Sequence, residues 1–103
     1  MKDPVKVGLP AQTFQEKVSA GEVWYHFKYP QGCGDDRPYK IIGLAYDTTS
    51  EITYVVYQPL YKNDLMQEKS GNGVEYFVRP LSEWHDLKQT KSGELVPRFK
   101  KSV

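Results

Sequence analysis

Apolar and polar positions alternate along residues 23–28, 39–46 and 52–61, and the apolar members are mostly tyrosine, tryptophan, valine and isoleucine. A period of two is that of a strand with one buried face. The pattern predicts strands over residues 23–28, 39–46 and 52–58. In the first, Val23, Tyr25 and Phe27 share one side, and Trp24, His26 and Lys28 share the other. Gly43 inside the second predicts a bulge or sharp bend, since a strand glycine weakens regular pairing. Pro59 ends the third strand or marks an edge. A fourth run, 74–79, stops at Pro80, after which Leu81-Ser82-Glu83-Trp84 reads as one helical turn. Residues 85–90 and 95–99 flank Lys91-Ser92-Gly93-Glu94, a hairpin signal.

Polar, turn-rich stretches at 29–38, 47–51 and 61–73 read as loops. Residues 1–9 read as a flexible lead. Residues 10–20 predict a short helix, with Thr13 and Glu16 at capping-box spacing, Phe14 and Val18 on one face, and Gly21 as a left-handed terminator. Short strands without long crossover helices favour a small antiparallel β-barrel over a parallel α/β sheet. The expected organisation is a single domain over the 103 residues: lead 1–9, helix 10–20, barrel 21–99 and basic tail 100–103.

Composition narrows the class without naming a reaction. Aromatic residues are 14% of the chain, eight of them tyrosine, and hydrophobic and charged residues stand at 39% and 26%, ordinary for a globular domain. No apolar run approaches the roughly 20 residues that span a bilayer, and the first residues lack a secretory core. A cytoplasmic location and no membrane partner are the expectations. Cys33 is the single cysteine, so no intrachain disulfide forms. Net charge is +1, which neither requires nor excludes an anionic partner. Lys88, Lys91, Arg98, Lys100 and Lys101 face only Glu94 near the end, read as a solvated tail in preference to a basic patch.

Several fragments recur together in order: Tyr25-His26-Phe27-Lys28, Tyr39, Gly43-Leu44-Ala45, 55–61, Phe77-Val78-Arg79-Pro80-Leu81 and Val96-Pro97-Arg98-Phe99. The series resembles a bacterial family known only as domain of unknown function sixteen-fifty-three, over residues 21–99. The resemblance implies a compact SH3-like β-barrel and no established activity. The chain departs from that pattern in an expanded segment at 29–38, in the segment 62–75, and in Phe77 where the family usually has tryptophan. The helical lead lies outside the resemblance.

Candidate chemistry is sparse. His26, His85 and Cys33 are too few for a structural zinc site, which takes four Cys/His ligands, so no metal and no cofactor is expected. Cys33 lies between two glycines, with Asp35, Asp36 and Arg37 behind it. It reads as an incidental loop thiol, not a nucleophile paired with a histidine. No phosphate loop, dinucleotide fingerprint or nucleophile elbow occurs. The most suggestive set is aromatic and basic: Trp24, His26, Lys28, Tyr57, Tyr61, Arg79 and Trp84. Gathered on one side of a barrel, these form a surface that stacks bases of single-stranded nucleic acid or clamps a peptide. Core packing is the competing reading for its rings, and pairing with Glu51 or Glu83 the competing reading for Arg79.

The sequence therefore predicts an uncharacterised, mostly-β binding module using an aromatic and arginine surface, with nucleic acid ahead of peptide. One alternative is a small enzyme or small-molecule pocket around His26, which requires a concave site there and a displaced histidine pKa. Another is a protein-interaction module using an exposed strand edge.

Overall fold

The longest ladder joins β2 (Pro38–Asp47) to β3 (Ile52–Pro59), antiparallel, with Ile41 opposite Tyr57 and Leu44 opposite Val55. The register shifts between Ile41 and Gly43, where the sequence predicts a bulge. The extra residue, Ile42, lets positions three apart share one face, and this keeps Ile41 and Leu44 in phase with the alternating residues of β3. The ladder ends in a turn held by Asp47, whose carboxylate accepts the amide of Thr49 at 2.9 Å and whose carbonyl accepts that of Glu51 at 2.7 Å.

The computed structural model describes residues 17–103. In it β1 (Val23–His26) pairs with β2 on one side and with β7 (Phe99–Lys101) on the other, and β4 (Phe77–Pro80) pairs with the far side of β3. The sheet order is β4-β3-β2-β1-β7, with β4 and β7 at its two ends. A second, two-stranded sheet is the hairpin of β5 (Leu87–Gln89) and β6 (Leu95–Pro97). Helix α1 (Asp64–Ser70) lies between β3 and β4, and the single turn α2 (Leu81–Trp84) follows β4.

The core forms where α2 delivers Trp84 onto the inner face of the sheet. Trp84 stacks on Phe99 at a centroid distance of 3.8 Å and meets Trp24 edge-on at 6.0 Å. Tyr39 also points edge-on at Phe99, at 5.6 Å. Val18, Ile41, Val55 and Tyr57 complete the cluster. Each large side chain withdrawn from water here contributes about 1.5–3 kcal/mol.

The fold is mostly β and antiparallel, as expected; among the described residues it is a five-stranded sheet beside a hairpin, and the ladder does not close into a complete barrel. The expected helix and lead fall largely outside the described residues, including Phe14 and the Thr13/Glu16 pair. Residues 17–20 are not helical; Val18 is buried, and Gly21 has φ 90. The stretch 61–73, read as loop, contains α1. Asn63 caps it, its Oδ1 accepting the Met66 amide at 2.8 Å, with Asp64 in the first turn and Lys69 in the last. The end of the chain is not wholly a solvated tail, because Lys100 and Lys101 belong to β7. Among the described residues no helix is long and apolar enough to cross a membrane.

Candidate functional site

The alternation in β1 has the parity the sequence predicts, with Trp24 and His26 on the side that is inside. Trp24 is 2% exposed, Tyr57 6% and Trp84 0%. These three rings are core and present no exposed aromatic face. The reason is nonlocal: Phe99 and Trp84, about 75 and 60 positions further along, pack over the inner side and seal it. Trp24 is fixed further by its indole N–H, which donates to Glu22 Oε1 at 3.1 Å. The same carboxylate accepts the Ser19 amide and pairs with Lys101 at 3.1 Å, and these contacts, the Ser19 amide foremost, lower its pKa.

Arg79 braces the end of β4. Its Nη1 lies 3.4 Å from Glu83 and its guanidinium 5.7 Å from the Phe99 ring centre. Arg98 ties α2 to the last strand, donating through Nε to the Glu83 carbonyl at 3.1 Å and through Nη2 to Asp86 at 3.4 Å.

Of the remaining three predicted residues, His26 and Lys28 adjoin where β1 runs into the 27–37 loop, and Tyr61 is linked to them through Arg37 and Tyr29. His26 stacks on Phe27 at 4.9 Å, lies edge-on to Phe99 at 5.5 Å, and is 6.0 Å from Tyr29. Its Nδ1 accepts the Lys28 amide at 3.1 Å, which assigns the ring proton to Nε2. Burial, aided by Arg98, Lys28, Arg79 and Arg37, pulls its pKa from 6.5 to about 4, so the imidazole is neutral at pH 7.

Arg37 is the centre of this end of the molecule. Its guanidinium lies 3.9 Å from the centre of the Tyr29 ring and 5.2 Å from that of Tyr61. Its amide donates to the Tyr29 carbonyl at 3.1 Å, which closes the loop on itself. Tyr61 is held from behind by a hydrogen-bond chain: its hydroxyl is 2.9 Å from that of Tyr39 and accepts from Asn63 Nδ2 at 3.1 Å. Burial, with the Tyr61 contact, raises the Tyr39 pKa further above its usual range, so that hydroxyl stays protonated. Among the described residues Lys28 and Arg37 have no carboxylate partner. Of the two acids in the loop, Asp36 accepts the Gly32 amide at 3.1 Å, and Asp35 is exposed. Cys33 is exposed as well.

Beside this ridge a groove of about 550 Å³ runs between the 27–37 loop and the β5–β6 hairpin. Tyr25 and Phe27 line it from β1 and just beyond, Pro30 from the loop, Val96 and Pro97 from β6, and Lys100 from β7. Tyr25 and Lys100 are cross-strand partners and so lie on one face. The Phe27 amide donates to the Arg98 carbonyl at 2.9 Å, joining the start of the loop to the residue before β7. Among the described residues no three His, Cys, Asp or Glu side chains gather as a metal site.

The sequence reading missed Phe27, Tyr29, Arg37 and Lys100. A signal was present, because Phe27 to Tyr29 and Arg37 bracket a loop with two glycines and one proline. Such a loop folds back and brings its two ends together.

A family model described as a protein of unknown function (DUF1653) matches residues 22–101. A crystal structure of a DUF1653 protein from Bordetella bronchiseptica is similar at 26% sequence identity and a TM-score of 0.55, covering 87% of this chain and 88% of that one. No curated protein matches the chain.

Proposed function

The chain belongs to the DUF1653 family, whose description carries no activity, and from that footing we propose that it is a non-catalytic module that binds single-stranded nucleic acid. The observation that carries the proposal is Arg37, its guanidinium over the Tyr29 ring and beside Tyr61, with no carboxylate partner among the described residues. An arginine held over a ring can offer a plane for stacking and a fork of donors for phosphate. Phe27, Tyr29 and Tyr61 are half-buried, which leaves part of each ring for a ligand. Stacking a base on such a ring contributes about 1–3 kcal/mol and tolerates any sequence. Lys28 and Lys100 supply further cations, which with Arg37 outnumber Asp35 and Asp36 of the same loop. A proline-rich peptide would use the rings and leave those cations idle, so the charge favours nucleic acid.

A second reading, a small-molecule pocket beside His26, draws support from the groove itself, whose 550 Å³ falls within the ~300–1,000 Å³ of ordinary ligand sites. General acid–base work by His26 at neutral pH draws none: its pKa of about 4 and its occupied Nδ1 suit a fixed hydrogen-bond donor.

The test is an amide-shift titration with single-stranded octanucleotides. The expected result is perturbation of Lys28, Tyr29, Arg37 and Tyr61, and loss of affinity in Tyr29→Ala of about 5-fold or more. Tyr46→Ala, in the exposed part of β2, should leave binding unchanged. Absence of shifts at Tyr29 and Arg37 overturns the proposal.

A further inference from the structure

We infer that the groove beside this ridge is a pocket for one unstacked base bearing carbonyl oxygens, with the adjoining phosphate on Lys100; this rests on the nucleic-acid reading above. The shape argument is that Phe27, Pro30, Val96 and Pro97 give flat apolar walls, suited to a ring system and not to a charged chain. The charge argument is an asymmetry between adjacent lysines. Lys101 is consumed by Glu22 at 3.1 Å, whereas Lys100 is exposed on the groove side and has no acidic partner among the described residues.

The polarity of the lining then selects the base. Gln31 spends its Oε1 on the Val103 amide at 3.0 Å, which leaves its amide hydrogens to donate. His26 spends Nδ1 on the Lys28 amide, which leaves Nε2–H to donate. Thr90, also in the lining, is tied up in the hairpin turn with Ser92 at 2.9 Å and the Glu94 amide at 3.2 Å. What remains among the side chains are chiefly donors, beside the Tyr25 hydroxyl, which donates or accepts. Donors meet the carbonyl oxygens of uracil, thymine or guanine; adenine has no carbonyl, only ring-nitrogen acceptors beside a donating amine, and matches less well.

The experiment titrates the full chain with uridine monophosphate, adenosine monophosphate and inorganic phosphate, following amide shifts. Uridine monophosphate should shift Tyr25, Val96 and Lys100 and bind at least about threefold more tightly than the adenosine analogue. Lys100→Glu and Gln31→Leu, both at exposed positions, should each weaken it about fivefold or more. Tyr46→Ala, exposed in β2 and outside both ridge and groove, should leave it within about twofold. Equal binding of the two nucleotides overturns the inference, as do groove shifts produced equally by phosphate alone or by an acidic peptide and not by nucleotide. If an octanucleotide shifts Tyr29 and Arg37 while Val96 and Lys100 stay silent under every nucleotide, the groove inference fails and the ridge stands. If uridine monophosphate occupies the groove and no oligonucleotide engages Tyr29 or Arg37, the ridge reading fails instead.

Discussion

Acidification, compared between the wild type and a variant without the imidazole, isolates the contribution of His26. In the folded chain the ring is half-buried against Phe27 and Phe99, among Arg98, Lys28, Arg79 and Arg37, and holds its proton only below about pH 4. In the unfolded chain it regains its ordinary value of 6.5. The unfolded state therefore takes up the proton first, so stability is full above pH 6.5 and falls as pH drops toward 4. The interval from 6.5 to about 4, at about 1.4 kcal/mol per pH unit, sets a ceiling of roughly 3.4 kcal/mol. Solvent reaches the half-buried ring and screens its neighbours, so we expect about 1.5 kcal/mol. Glu22 and Asp47 also have lowered pKa values and lose stability in acid, so the measurement is a difference. Urea unfolding of the wild type and of His26→Phe, which keeps the ring stack and removes the proton site, is compared at pH 7.5 and pH 4.5. The wild type should lose about 1–1.5 kcal/mol more than the variant. Equal losses, or an imidazole titration by NMR centred near 6.5 in the folded protein, would refute the reasoning.

Two further substitutions probe the frame around the site. Asn63→Ala removes both the cap of α1 and the donor to Tyr61; it should cost about 1 kcal/mol in urea unfolding, and Asn63→Asp should recover the cap. Gly43→Ala should be neutral or stabilising by up to about 1 kcal/mol, because its backbone is not left-handed and nothing lies within 4 Å of a Cβ built there. A larger loss would show that the bulge itself demands glycine.

The residues that were legible in the sequence are those whose structure is decided locally. The alternation in residues 39–46 and 52–58, the interruption at Gly43, the turn 81–84 and the hairpin around Gly93 all depend on neighbours within a few positions, and all appear. Helix α1 was equally local, written in Asn63, Asp64 and Lys69, but its polar composition resembles that of a loop. What could not be read was the inside of β1. Both faces of residues 23–28 carry large rings, and period two assigns parity without saying which parity is buried. Phe99 and Trp84 decide it from the far end of the chain. For the same reason the aromatic set divided: Trp24, Tyr57 and Trp84 went to the core, Arg79 to Glu83, and His26, Lys28 and Tyr61 to a ridge completed by Phe27, Tyr29 and Arg37. The mostly-β antiparallel class was legible from the short alternating runs, but which strands end the sheet, β4 and β7, is again set by nonlocal pairing.

Salt dependence of oligonucleotide affinity, measured for the wild type and for Arg37→Ala, tests the recognition role most directly. With Lys28, Arg37 and Lys100 neutralising phosphates, the slope of log affinity against log salt should be about −2 for a single strand, roughly a 15-fold loss between 50 and 200 mM. Arg37→Ala should lower affinity and flatten that slope by about 0.7. Affinity indifferent to salt, or a slope unchanged by loss of Arg37, would contradict the account.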